Sequence, residues 1–238
     1  MSQVFHPSMN AFARATIFGG VFVLAALVWA AGVWSRSSYS TQVDVVRDQP
    51  VPFSHDHHVA GLGIDCRYCH ISVERSAFAG LPSTEICMGC HSQIWRDSEL
   101  LAPVRRSYRD QEPLHWTRVH DLPDFVYFNH AIHVAKGIGC ESCHGRVDRM
   151  PLMRKAESLH MEWCLECHRH PELRTRELAD VFRFGLDQHS DWRTGNEPPA
   201  KGTHESTNAA AASTDGAALV KQYGIIQSQL TDCGICHR

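Results

Sequence analysis

Between Arg14 and Arg36 the chain has no charged side chain, and Ala15 to Trp34 (ATIFGGVFVLAALVWAAGVW) is almost wholly apolar. That is the ~20 residues a helix needs to cross the hydrocarbon core, and Trp29 and Trp34 suit the far interface. The stretch is longer than the apolar region of a cleaved leader, about 7–15 residues, and no clear small-x-small site follows it. An uncleaved anchor is therefore expected. Beyond it the pattern changes, with few Val, Ile or Leu runs and many His, Asp, Glu and Arg. SELLAPVRRSYRDQ from Ser98 is expected as a surface helix, and LVKQYGIIQSQL from Leu219 as a short amphipathic helix able to dock. Residues 195–218 are too poor in apolar groups to pack alone and are expected as a flexible linker.

Composition sharpens this picture. Of 238 residues 43% are hydrophobic, but the anchor inflates that share, so the core that side chains alone can build is thin. The net charge of −3 offers no basic field and excludes nucleic acid as a partner. All ten cysteines fall in five C-x-x-C-H motifs: CRYCH, CMGCH, CESCH, CLECH and CGICH. They are Cys66 and Cys69, Cys87 and Cys90, Cys140 and Cys143, Cys164 and Cys167, Cys233 and Cys236. Zinc sites use paired cysteines without requiring a His directly after the second. A thioredoxin-like pair occurs once, within a βαβ pattern. The motif suits covalent attachment of c-type haem. Thiols at i and i+3 share one face of a helical turn and can bond the same porphyrin, and the next His meets the iron. The proximal ligands are then His70, His91, His144, His168 and His237. Five haems would supply the core that side chains lack, so the expected fold is loops and short α-helices wrapped around the haems, with little sheet.

A repeat organises the first four sites. FSHDHHVAGLGIDCRYCHISVER from Phe53 matches FNHAIHVAKGIGCESCHGRVDR from Phe128, and a second C-x-x-C-H follows each. Residues 53–91 and 128–168 are therefore two di-haem units. Each carries H-x-x-H ahead of its first motif, which makes His55, His58, His130 and His133 the expected distal ligands. His57 is expected at the surface, and His120 in TRVHDLP is the next candidate. His115, His160, His170, His189 and His204 are expected in solvent or behind the ligands. Met150, Met153 and Met161 offer a thioether alternative, which raises the haem potential. Met150 stands where the first unit has Ser76, and the choice among the three stays open.

With these motifs in place, the chain resembles the membrane-anchored pentahaem cytochrome c subunit of the bacterial alternative complex III. The likeness rests on the N-terminal helix, on GIDCRYCHISVERSAFAGLPSTEICMGCH, on WTRVHDLPDFVYFNHAIHVAKGIGCESCHGRVDRMPLM, on MEWCLECHR and on the late C-x-x-C-H. It covers most of residues 11–170 and the tail; a looser likeness links each haem unit to cytochrome c7/c3-type modules. The resemblance implies a quinol-oxidising complex with an iron–sulfur subunit related to molybdopterin enzymes and polytopic quinol-binding membrane subunits. It also implies a monohaem cytochrome c or a terminal oxidase as electron acceptor. The expected organisation is a cytoplasmic segment 1–14, an anchor 15–34 in contact with membrane lipid of the bacterial inner membrane, and a periplasmic tether 35–52. A tetrahaem domain 53–194 follows, then the linker 195–218 and a fifth-haem segment 219–238. That segment is expected to fold back on the tetrahaem array as a separable addition.

Two other classes share some of these features. A membrane quinol dehydrogenase cytochrome that feeds a soluble periplasmic reductase shares the anchor and the haems, and differs in its partners. A multihaem reductase is an enzyme and needs a haem with an open sixth position. All five motifs here end in His and spare histidines outnumber the haems, so the expected role is electron transfer without a catalytic site.

Overall fold

The computed structural model describes residues 6–186 and 215–237. The chain divides into two compact units, Met1–Asp44 and Val45–Arg238.

The first unit is dominated by α1, Ser8–Arg36, a helix of 29 residues with none buried. It is long and apolar enough to cross a membrane. At 1.5 Å per residue it reaches about 43 Å, more than the ~30 Å of a hydrocarbon core. It extends past both ends of the expected 15–34 span because nothing stops it there. Pro7 stands just before its first turn, where a missing N–H does no harm. The stop comes at Ser37, whose backbone turns extended and whose Oγ donates to the Trp34 carbonyl at 2.7 Å. A single turn, α2 (Ser38–Thr41), follows and ends at Gln42 in the left-handed region, φ 58°.

In the second unit the helices are short: α3 (Cys66–Cys69), α4 (Thr84–His91), α5 (Ala102–Asp110), α6 (His130–Ala135), α7 (Glu141–His144), α8 (Met161–Arg169), α9 (Gly216–Gln222) and α10 (Cys233–Cys236). A π-helical turn, Asp56–Gly61, precedes α3. Among the described residues there is no strand; isolated bridges join Val46 to Arg154 and Ile138 to Thr175. Side-chain caps start several helices. Asp65 accepts from Arg67 N, Asn129 from Ile132 N, and Asp215 from Ala217 N. The expected surface helix is α5, entered through a 3₁₀ turn at Glu99–Leu101 and packed on α4, where Ser107 Oγ donates to Thr84 Oγ1 at 3.4 Å. The docking helix α9 starts at Gly216, inside the expected linker, and stops at Tyr223 before Gly224 (φ 61°). Only the first four residues of LVKQYGIIQSQL are therefore α-helical. The rest of the linker, and its His204, lie outside the described residues, as does His189.

The repeat is visible as a clasp made twice. Asp56 N donates to the Met150 carbonyl at 3.2 Å, and Ala131 N donates to the Ser76 carbonyl at 3.1 Å. Asp56 and Ala131 are equivalent in the repeat, as are Ser76 and Met150, so each unit makes the same contact to the other. The units differ in how they are covered. Residues 174–186 lie over α7: Arg176 N donates to Gly137 O, Cys140 N donates to Val181 O, and the buried Glu141 accepts from Arg176 Nη1, Gly185 N and Leu186 N. Gly137 (φ 75°) has no room for a Cβ beside the Arg176 carbonyl, whereas its equivalent Gly63 (φ 69°) faces open space.

The apolar core of this unit is sparse. Val51, Val73, Val104, Met150, Val181 and Leu219 are buried, while Tyr68, Ile71, Phe78, Leu81 and Ile94, close to cysteine pairs, are exposed. Among the described residues, few buried side chains are available to set against the conformational entropy of ordering the chain.

Candidate haem-attachment sites

Each cysteine pair sits on one helical turn, in α3, α4, α7, α8 and α10. In three motifs the His amide closes the turn on the first Cys carbonyl: His70 on Cys66 at 2.8 Å, His144 on Cys140 at 3.0 Å, and His237 on Cys233 at 2.9 Å. No disulfide joins any of the ten cysteines. Among the described residues no three His, Cys, Asp or Glu side chains converge as one ion's ligands. The sulfurs are therefore presented two at a time, as thioether attachment requires and a four-ligand zinc site does not.

The histidines share a hydrogen-bond arrangement. Nδ1 of His58 meets the Ser54 carbonyl at 2.7 Å, His70 meets Gly80 at 2.7 Å, and His91 meets Ile94 at 3.0 Å. His130 meets Ala77 at 2.8 Å and His133 meets Asn129 at 2.8 Å. His168 meets Leu230 at 2.8 Å and His237 meets Phe125 at 3.1 Å. A carbonyl only accepts, so each Nδ1 must be the N–H donor. That leaves the Nε2 lone pair free for a metal. All seven are among the ten histidines expected as ligands. Of the other three, His55 Nδ1 and His120 Nε2 are buried polar atoms without a hydrogen-bond partner. Burial, with the neighbouring His70 and His58 adding to it, lowers the His55 pKa to about 4. Burial, then Lys155 and His130, lowers that of His120 to about 4. Burial likewise holds His144 well below the usual value and lowers His133. These imidazoles are neutral at physiological pH, the form that ligates.

Ring separations pair several of them. Two imidazoles on one metal ion, each bonded at about 2 Å, have centroids roughly 6 Å apart. His58 and His91 are 6.2 Å apart, His133 and His168 6.2 Å, and His130 and His144 6.2 Å. His120 lies closer to His144, at 4.3 Å, too near to share an iron with it. Phe125 stacks on His237 at 5.8 Å. His57 stacks on Trp95 at 5.3 Å, and the exposed His170 faces Glu172. Of the three methionines, Met150 is buried and Met161 is 65% exposed.

Sequence reasoning assigned no role to the first residue of the repeat. Phe53 lies flat on His58 (4.4 Å, 21°) and edge-on to His55 (4.9 Å, 87°). Phe128 does the same to His133 (4.5 Å, 28°) and His130 (4.7 Å, 89°). Both rings orient a pair of candidate ligands, and their recurrence two residues before each H-x-x-H was the available signal.

Electrostatic interactions between thiols of different motifs mark which sites are neighbours. Cys140 shares a hydrogen bond with Cys66, which raises the Cys140 pKa and lowers that of Cys66. Burial and then the nearby Cys69 raise Cys87, and burial and then Cys236 raise Cys164. The second motif thus adjoins the first, the first adjoins the third, and the fourth adjoins the fifth. Helix α6 joins third and fourth, because His130 faces the His144 ring and His133 the His168 ring.

The residues fit covalently held haem: paired thiols on a turn, imidazoles with Nε2 free, and apolar side chains exposed beside them. No family model matches the chain. Over 125 residues it is 36% identical to the multihaem cytochrome c subunit of menaquinone reductase from Nitratidesulfovibrio vulgaris. The match covers 52% of this chain and 56% of that protein, so the chain spans about half the length of the curated relative it matches.

Proposed function

We propose that the chain is a membrane-anchored pentahaem c-type cytochrome that carries electrons from a quinol-oxidising membrane complex, of the alternative complex III kind, toward periplasmic carriers or a terminal oxidase. The observation that carries this reading is the set of seven Nδ1–H···O=C bonds beside five cysteine pairs. Haem iron, when bound, supplies a one-electron couple. The ten cysteines would hold the macrocycles, and His70, His91, His144, His168 and His237 would ligate the irons. His58 with His91, His133 with His168, and His130 with His144 would each hold one iron, their rings lying 6.2 Å apart. His55, whose buried ring interacts with His70, serves the first site. At the four sites with two imidazoles no position would be left for substrate, so these sites conduct and do not catalyse. The contacts between motifs give a wire in the order second, first, third, fourth, fifth. Helix α1 anchors that wire in the inner membrane with its haem domain in the periplasm, where thioether attachment takes place in bacteria. The partners are an iron–sulfur subunit and polytopic quinol-binding subunits.

A second reading has one observation in its favour: the relative is a subunit of a menaquinone reductase, which points to electron flow toward the quinone. Purification from native membranes in mild detergent tests both. Under the first reading iron–sulfur and polytopic subunits copurify, and added menaquinol reduces the haems. If the reduced complex instead discharges readily into menaquinone and menaquinol leaves the haems oxidised, the second reading holds. A cytochrome recovered alone overturns the assignment to a complex.

A further inference from the structure

Among the motif histidines, His70 and His91 find their orienting carbonyl close by in sequence, at Gly80 and Ile94. His168 does not. Its Nδ1–H goes to Leu230, 62 residues on and beyond the expected linker. The segment that supplies this carbonyl is held at several points. Leu219 of α9 is buried at 2% exposure, and Gly216 packs against the Glu172 carbonyl with no room for a Cβ. Lys136 Nζ donates to the Tyr223 carbonyl, and Gln227 Nε2 donates to the carbonyl of Arg169, the residue after His168. Farther on, Tyr127 N donates to the Cys236 carbonyl at 2.8 Å, and His237 Nδ1 reaches Phe125. The 3₁₀ turn Gln227–Gln229, closed by Leu230 N on Gln227 O, sets where the Leu230 carbonyl points.

We infer that residues 215–237 complete the fourth haem site as well as carrying the fifth: the Leu230 carbonyl is the positioning group that fixes the tautomer and rotation of the His168 imidazole. A hydrogen bond from the non-ligating Nδ1–H to a carbonyl holds a ligand imidazole in place and raises its basicity. The fourth site would then depend on a segment that looks, in sequence, like an appendage. This inference rests on the haem reading above.

Three variants of the full-length, membrane-anchored protein test it, read by haem count from intact mass and by the low-spin EPR signals of the oxidised protein. Cys233→Ser with Cys236→Ser keeps the tail and removes its thiols; one haem is lost and the other four signals stay as in the parent. Truncation after Thr214 loses one haem, and one of the remaining four signals shifts or broadens as well. Leu230→Pro removes the N–H that closes the turn and disfavours the helical conformation of Gln229. It keeps all five haems and shifts the same signal. If neither truncation nor Leu230→Pro alters a signal beyond the one lost in the double cysteine variant, the inference is overturned. If truncation prevents folding, Leu230→Pro decides alone. If the double cysteine variant loses no haem, the haem reading itself fails, which is a separate outcome.

Discussion

Phe128 touches two candidate ligands with one ring, its face on His133 and its edge toward His130, and Phe53 repeats the arrangement on His58 and His55. Face and edge contacts of this kind contribute about 1 kcal/mol each beyond burial. The stiffness they give matters more, because a ligand imidazole must hold its rotation to hold its potential. Phe128→Ala should therefore lower stability by about 2 kcal/mol. It should also disturb the EPR signals of two sites at once, the third and the fourth, with the haem count unchanged. Thermal unfolding and EPR on the same preparation check this; a change confined to one signal would limit the ring's role to one histidine.

At the scale of elements, the C-x-x-C turns are set by local hydrogen bonds, and their helices are four to nine residues long. Helices this short are unstable in isolation. They persist where caps such as Asp65 and long-range contacts such as Glu141 with Gly185 and Leu186 hold them. The element that stands apart is α1, with no residue buried along its length. Replacing residues 1–36 by a cleavable export leader should move the protein from the membrane to the soluble fraction with its haem staining intact. Retention in the membrane would show that the second unit binds there by itself or through partners.

Across the whole molecule, the unit from Val45 onward buries few large side chains and leaves many apolar ones exposed beside the motifs. Its folding is therefore expected to depend on the haems. Where cofactor binding supplies the core, binding free energy is folding free energy. The chain made in a host without c-type haem maturation should show no cooperative thermal transition in the second unit and should be digested readily. The matured protein should resist both treatments. A cooperative melt of the haem-free chain, followed by circular dichroism, would show that side chains alone suffice.

The sequence by itself determined the five thiol pairs, the adjacent histidines, the long apolar helix and the two-fold repeat. Each of these is a local pattern: a fixed spacing on one turn, an uninterrupted apolar run, or a motif written twice. It also pointed to H-x-x-H, because the spacing recurs with the cysteines. Tertiary structure decided what spacing cannot carry. Which imidazole faces which depends on the clasp between Asp56 and Met150 and its counterpart between Ala131 and Ser76. The placement of His120 against His144 likewise comes from packing, since nothing near it in the chain repeats. The equivalent glycines Gly63 and Gly137 read alike, yet only Gly137 lies beneath the Arg176 carbonyl. The tail reads as a separable fifth site, while its Leu230 carbonyl meets His168 from 62 residues away. Any residue type can offer a backbone carbonyl, so a bond to one leaves no mark in the sequence and is settled only where the folded chain brings donor and acceptor together.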